Sequence, residues 1–295
     1  MSSREIRHAS PANNRAVLQV VTKAASDRAR TTCPLCELES KPVFRLSHTT
    51  IYECRDPRCR LQFASPQLDD EELGRAYAAL YYPAEDGGRV VLENATDFEV
   101  RKFLSAIENH VGSLRGARVL DFGCGNGVLL RIVSEMGTEA VGIEQSETAR
   151  EHVANSGYGR AYADLGELKK MQPSAEFDFI MMCDAVEHLR EPWVDLAGLR
   201  SVLAPRGRLF MTTPNTKSLR SRLSGASWDQ RYNPTHFYYF HSQSLTKVVR
   251  RAGFGNVVEL RPITEYRHHG LMRRALQHGL ARFGLHGGLL FMASH

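Results

Sequence analysis

The chain has 295 residues, of which 42% are hydrophobic and 24% charged, with a net charge of +5. That is the composition of a globular protein able to bury a core of its own, and no apolar run approaches the ~18 residues of a membrane span. The positive charge sits at the ends, +4 over residues 1–30 and +3 over residues 262–295, leaving −2 for the body between them, which argues against a nucleic-acid face on that body.

In chain order, residues 1–30 read as a polar mobile tail. The stretch MSSREIRHASPANNRAVLQVV starts basic, but its apolar segment is short and broken by Gln19, unlike a signal peptide. Its Ser/Arg-rich, acid-poor makeup leaves a transit peptide as the alternative.

Four of the six cysteines follow at once: Cys33, Cys36, Cys54 and Cys59 form C-x2-C, 17 residues, then C-x4-C. Two close pairs around a short hairpin suit tetrahedral zinc on four thiolates, with no ligand position left open, hence a structural zinc ribbon over residues 31–66. Cys124 and Cys183 lie apart. Together the six suggest a reducing, cytoplasmic compartment rather than a disulfide framework. The ribbon nets only +1, from Lys41, Arg45, Arg55, Arg58 and Arg60 against Glu37, Glu39, Glu53 and Asp56, a weak footprint for RNA.

Residues 67–116 are expected to be a helical linker and cap. DDEELGRAYAALYY and DFEVRKFLSAIENHV flank a PAEDGG loop, and Phe103, Leu104, Ile107 and Val111 recur at helical spacing. From Ala117 apolar strands (ARVLDF, EAVGIE, one near RAYA, FDFIMMC, GRLFMTT) alternate with helices (GVLLRIVSEM, SETAREHVANS, PWVDLAGLRSVL). This predicts an α/β, doubly wound sheet with parallel strands over 117–295. SQSLTKVVRRAGF then reads as a helix, NVVELRP as a strand and GGLLFMAS as a last apolar strand.

Where the first of these strands meets its helix stands D-x-G-x-G-x-G, with Asp121 ahead of Gly123, Gly125 and Gly127. The glycines let a ligand approach the backbone, and the helix N-terminus offers free N–H groups. The order is not the G-x-G-x-x-G of dinucleotide sites. A carboxylate at Asp121 repels a pyrophosphate and attracts a cationic amine, which points to S-adenosylmethionine. Glu144, at the end of the second strand, can accept two ribose hydroxyls, and Asp164, near the end of the third, can receive the adenine amino group. The alternative is a structural glycine turn beside surface acids.

VLDFGCGNG, VGIEQS, YADL, FDFIMMCDAVEHLREP and APRGRLFMTTPN resemble the successive motifs of class I S-adenosylmethionine-dependent methyltransferases over roughly residues 95–295. The resemblance implies a seven-stranded, mostly parallel sheet whose last strand, GGLLFMAS, is antiparallel. It implies cofactor binding by Asp121, Gly123, Gly125, Glu144 and Asp164, with Cys124, Gln145 and Leu165 beside them. It also implies that backbone around Cys183 and Asp184 faces the sulfonium. The cysteine pattern ahead of such a core resembles bacterial deoxysugar and polysaccharide-modifying methyltransferases with an N-terminal zinc ribbon.

Transfer to a hydroxyl needs a base or a metal at the mouth of the sheet. CDAVEHL supplies Asp184, Glu187 and His188, and RYNPTHFYYFHSQSL supplies His236 and His241. Glu187, His188 and His236 are the catalytic candidates. D-x-x-E-H…H resembles the cation-binding set of ubiquinone-biosynthesis O-methyltransferases and small-RNA terminal 2′-O-methyltransferases, with Asp184 where those carry Glu. The resemblance implies a divalent cation such as Mg2+, and the alternative is that E-H only shapes a pocket. Residues 213–241 read as a substrate lid, whose Trp228, Tyr232, Phe237, Tyr238 and Tyr239 either stack on a ring or form core. A basic insert, 264–286, carries Leu271, Met272, Leu276 and Phe283 among Arg and His. It either touches an anionic membrane surface peripherally or packs over the sheet.

The expected function is therefore cytoplasmic methyl transfer from S-adenosylmethionine to a hydroxyl, or to C or N, of a small molecule such as a sugar, nucleotide sugar or secondary metabolite. The rivals are O-methylation of a quinone or catechol ring with a divalent cation, a zinc-ribbon RNA methyltransferase, and a binding module that kept the fold.

Overall fold

The computed structural model describes residues 30–81, 97–260 and 287–295. The tail before Arg30, the PAEDGG loop and the basic insert 264–286 lie outside the described residues. The described chain forms two units, one from residues 30–81 with 224–239, the other from 97–223, 240–260 and 287–295.

The first unit opens with the C-x2-C turn and three strands, β1 (Ser40–Arg45), β2 (Thr50–Cys54) and β3 (Gln62–Ser65). They pair antiparallel as a meander, with Arg45 opposite Thr50 and Ile51 opposite Ala64. Helix α1 (Asp70–Tyr81) starts with a reciprocal cap, the Glu72 N–H donating to Asp69 and the Asp69 N–H to Glu72, both at 2.9 Å.

The second unit begins with α2 (Asp97–Val111) and continues as alternating strand and helix. The order is β4 (Arg118–Phe122), α3 (Val128–Glu135), β5 (Glu139–Ile143), α4 (Glu147–Ser156), β6 (Arg160–Tyr162), α5 (Leu165–Met171), β7 (Phe177–Cys183), α6 (Pro192–Arg200) and β8 (Leu203–Pro214). Next come α7 (Leu219–Ser224), then α8 (Asp229–Tyr232) and β9 (Tyr238–Tyr239), which belong to the first unit. The second unit is completed by α9 (Ser242–Arg251), β10 (Asn256–Glu259) and β11 (Gly288–Ser294).

Its seven strands lie in the order β10-β11-β8-β7-β4-β5-β6. β6, β5, β4, β7 and β8 run parallel, and β11 lies antiparallel between β8 and β10. Parallel strands covered on both faces read as unbroken apolar runs, and β7 keeps Ile180, Met181 and Met182 fully buried in succession. Leu104 and Ile107 of α2 meet Val119, Val133, Met181 and Phe210 in one core cluster, so the predicted helical stripe of α2 is its buried face. The chain order reverses between β4 and β7, which puts the carboxyl ends of β4, β5 and β7 at the crevice where such sheets bind ligands.

The sequence-predicted strands and helices of 117–260 are all present. Helices α5, α7 and α8 and strand β9 are additions; α5 escapes prediction because LGELKKM is too short and polar to show periodicity. Asp164 caps α5, accepting the Glu167 N–H at 2.8 Å, and Glu167 reaches back to accept the Ala163 N–H at 2.6 Å. Among the described residues no helix is long and apolar enough to cross a membrane.

Candidate functional site

The glycine turn closes the top of β4 against β5. Gly123 and Cys124 both donate their N–H to the Ile143 carbonyl, at 2.8 and 3.1 Å. Gly123 and Gly127 have φ of 81° and 79°, left-handed values that side chains resist. Space adds to this, since a Cβ on Gly123 would lie 3.2 Å from the Ala185 Cβ and one on Gly127 3.0 Å from Val153 Cγ2.

Asp121, on β4, is only 4% exposed. Burial, with the neighbouring Glu144 carboxylate adding to it, pushes its carboxyl up to about 7. Among the described residues no cation pairs with it. A buried acid short of a positive charge at the mouth of a parallel sheet suits a cationic head group.

Glu144, just past β5, is held by two backbone donors: Gly125 N–H to Oε2 at 3.0 Å and Ser146 N–H to Oε1 at 2.8 Å. Both oxygens are thus fixed in the crevice, and each keeps a lone pair free for a ribose hydroxyl. Arg150, which sequence reasoning did not single out, donates to the carbonyls of Glu144 and Gln145 at 2.8 and 2.7 Å and pins the loop they share. Gln145 itself is exposed, Asp164 caps α5, and Leu165 is the first residue of that helix. Asp164 Oδ1 is engaged with Glu167 in that cap.

Cys124 is buried, and a Cβ on Gly142 would come within 2.4 Å of its sulfur, so Gly142 is the space into which that thiol packs. Burial raises the thiols of both Cys124 and Cys183, with nearby carboxylates adding to it, so both are neutral side chains.

Past β7 the chain turns sharply. Asp184 has φ of 47°, its N–H donates to the Thr212 carbonyl at 3.1 Å, and its Oδ1 accepts from the Thr212 hydroxyl at 3.1 Å. Glu187 follows in a single 3-10 turn and is 1% exposed. Its Oε2 accepts the Thr213 hydroxyl at 2.9 Å, while Oε1 has no hydrogen-bond partner among the described residues. Burial first, and Asp184 second, raise the Glu187 carboxyl well above the usual range. Thr212 and Thr213, successive residues of β8, thus hold Asp184 and Glu187 in turn. The sequence signal for them was only the TTP that ends GRLFMTTP. His188 is half-buried, and its N–H donates to the Ala185 carbonyl. His241 caps the start of α9, where its Nδ1 lies 2.6 Å from the Ser244 hydroxyl and its N–H donates to the same oxygen.

In the other unit the four predicted cysteines converge. Their sulfurs all lie within 4.8 Å of one another, with Cys33–Cys59 at 3.9 Å and Cys36–Cys54 at 3.4 Å, and none is in a disulfide. A tetrahedral ion bound at about 2.3 Å requires sulfurs roughly 3.8 Å apart. Two tight turns present them: Glu37 (φ 61°) and Arg60 (φ 46°) follow the two pairs in left-handed conformation. The Cys33 sulfur also accepts hydrogen bonds from the backbone N–H groups of Leu35 and Cys36. These are the donors that stabilise a metal-bound thiolate.

The segment expected as a lid contributes α8 and β9 to this same unit, where Tyr239 pairs with Gln62 and Tyr238 with Phe63. Trp228 and Tyr239 belong to its core cluster with Ile51 and Ala64, Phe237 and Tyr238 are buried, and Tyr232 is half-buried. His236 is buried with its ring edge-on to Tyr239 at 6.3 Å.

A family profile described as a methyltransferase domain matches residues 74–259, and the chain belongs to that family. The ubiquinone biosynthesis O-methyltransferase of Idiomarina loihiensis is 33% identical over 127 residues, covering 41% of this chain and 52% of that one. The enzyme of that name from Leptothrix cholodnii is 29% identical over 183 residues, covering 58% and 76%. The chain thus spans about half the length of the first of these relatives. In fold it is similar to an S-adenosylmethionine-dependent methyltransferase from Mesorhizobium loti (TM-score 0.50, 18% identity, 66% of this chain and 98% of that one). It is equally similar to the cyclase SpnF (TM-score 0.50, 20% identity, 78% and 97%). A methyltransferase and a cyclase on one fold show that the sheet alone does not choose the chemistry.

Proposed function

We propose that this protein binds S-adenosylmethionine and moves its methyl group to a hydroxyl oxygen of a small molecule. The carrying observation is the pair of acids at the ends of adjacent parallel strands, Asp121 buried with no cation paired to it among the described residues and Glu144 fixed by two backbone N–H groups. Asp121 would hold the amino group, Glu144 the ribose hydroxyls, and the turn Gly123–Gly127 would admit the cofactor to the backbone. Asp164 would meet the adenine side with the oxygen its cap leaves over. The bound cofactor supplies a methyl group already activated on a sulfonium, so the protein's part is to align the acceptor and receive its proton. His188 and His236 have the side-chain chemistry to take that proton near neutral pH. Isothermal calorimetry tests the binding step. Wild-type affinity for S-adenosylmethionine that survives both Asp121→Ala and Glu144→Ala removes the reading.

For the acceptor, the relatives' names support a ring hydroxyl of a quinone precursor as the first to test. In that reading Asp184 and Glu187, the latter with a buried oxygen that has no partner among the described residues, are the carboxylates that would face a divalent cation, which would lower a catechol hydroxyl's pKa. The basic insert 264–286 would then meet an anionic membrane, and co-sedimentation with anionic vesicles checks it. The second acceptor class is a sugar or nucleotide-sugar hydroxyl, supported by the cysteine module, which lies ahead of the family match at residue 74. Labelled S-adenosylmethionine with catechols and with nucleotide sugars separates the two by which pool gains one methyl group. Steeply salt-dependent retention of total RNA on filters would instead favour an RNA acceptor.

We further propose that Cys33, Cys36, Cys54 and Cys59 hold a structural zinc ion, because four thiols with near-tetrahedral spacing and backbone N–H donors suit it. Native mass spectrometry finding no zinc would remove the proposal.

A further inference from the structure

The first unit is not contiguous in sequence. Residues 30–81 make three of its sheet's strands, and the fourth, β9, arrives more than 150 residues later at the end of the segment Ser224–Tyr239. That segment is held by β3 through two residue pairs, and by the Ala64 N–H donating to the Phe237 carbonyl at 2.9 Å. Beneath them Trp228 and Tyr239 pack on Ile51 and Ala64, with Val43, Phe44 and Leu46 at the margin. Arg231 lies between the rings of Phe44 and Trp228, 4.1 and 4.8 Å from their centroids, and donates to the Gly225 carbonyl at 2.6 Å. A two-residue strand has too few ladder bonds to stand without such a platform.

The platform itself is small. Cys36 precedes β1, Cys54 ends β2 and Cys59 precedes β3, and the Cys54 N–H donates to the Leu61 carbonyl as the second turn closes. All three strands therefore hang from the four sulfurs. A module of this length, below about 40 residues between the first cysteine and the end of β3, depends on a metal or a larger core to fold.

We propose that the cysteine tetrad is the support of the Ser224–Tyr239 segment. With metal on the four thiolates β3 holds β9, and without it Trp228, Arg231 and His236 leave their places while the glycine turn of the other unit stays folded. The inference rests on the zinc reading above and gives the metal a task beyond the cysteine-bearing residues: it holds the segment that carries His236.

The chain has two tryptophans, Trp193 and Trp228, so full-length Trp193→Phe leaves Trp228 as the sole reporter. Stripping zinc with a chelator should red-shift its emission and open it to acrylamide quenching. Adding zinc back should reverse both, with the dissociation constant for S-adenosylmethionine changing less than about twofold throughout. Emission that stays blue in protein shown by mass spectrometry to have lost its zinc overturns this inference alone. Native protein that never held a metal overturns the zinc reading and this role with it. Ala64→Pro, which deletes the N–H to Phe237 and touches no cysteine, should give the same red shift with zinc still bound, and unchanged emission in that variant also overturns the inference.

Discussion

Asp121 and Glu144 stand at the ends of neighbouring parallel strands, where burial first and the Glu144 carboxylate second make Asp121 a weaker acid. Glu144 is held in place by two backbone donors, while Asp121 is buried beside it with a carboxyl raised to about 7. A free carboxyl ordinarily titrates near ~4. The unliganded protein therefore carries its full share of stability from this group only below about pH 4, and loses it as pH rises toward about 7. A bound ammonium reverses the preference, because it favours the charged carboxylate. Affinity for S-adenosylmethionine should rise between pH 6 and about 7 and flatten above it, with proton release on binding at pH 6. Calorimetry in buffers of different ionisation enthalpy measures both. Asp121→Asn should lose the pH dependence and weaken binding roughly 10- to 100-fold, the worth of one charged hydrogen bond.

The two acids should be separable by ligand. Methylthioadenosine has the ribose and adenine of the cofactor without its amino-acid head. Asp121→Asn should leave its affinity nearly unchanged, whereas Glu144→Gln should weaken it roughly 10-fold or more. The amide would set an N–H2 group against one of the two backbone donors now at 3.0 and 2.8 Å. Equal losses for both ligands in both variants would mean that the turn had collapsed rather than lost a contact.

Much of this site was legible because strand ends are legible. Asp121, Glu144 and Asp184 each follow an apolar run, and a parallel sheet brings such ends to one crevice whatever the helices do. The pieces that escaped are those without period or charge logic in one dimension. Thr212 and Thr213 gain their meaning only because β8 lies beside β7, and Arg150 only because its side chain reaches back from the first turn of α4 to the loop ahead of it. The fourth strand of the cysteine sheet escaped for the same reason. Tyr238–Tyr239 is two residues long, and its partner β3 lies far back in the sequence. The cysteines themselves announced their convergence, since their spacing alone fixes how two tight turns can meet.

Gly142 and Cys124 form a size-matched pair, which makes a double-mutant cycle informative. An added methyl at Gly142 would lie 2.4 Å from the Cys124 sulfur and 3.1 Å from Leu130 Cδ1, inside a buried cluster. Gly142→Ala should destabilise by about 1–3 kcal/mol, the usual cost of overpacking. Adding Cys124→Ala removes the closest clash and should recover part of that loss, giving a coupling of about 0.5 kcal/mol or more. Denaturant melts of the four proteins read it directly, and strict additivity would contradict the packing described.

Thr213 should matter beyond its size because it is the donor that satisfies one oxygen of a buried acid. Glu187 is 1% exposed, its Oε2 is met by the Thr213 hydroxyl, and its Oε1 has no partner among the described residues. Thr213→Val keeps the shape and deletes the donor, so it should cost about 1–3 kcal/mol. Thr213→Ser keeps the hydroxyl and should cost less than Thr213→Val. Glu187→Gln tests the acid separately. Its amide can still accept from Thr213, so stability should change by under about 1 kcal/mol. If Glu187 takes part in the transfer, turnover should nevertheless fall at least roughly 100-fold, the ordinary share of a positioned acid or base. Turnover retained in Glu187→Gln, with stability lost in Thr213→Val, would assign the pair to holding the turn after β7 and leave the chemistry to the histidines.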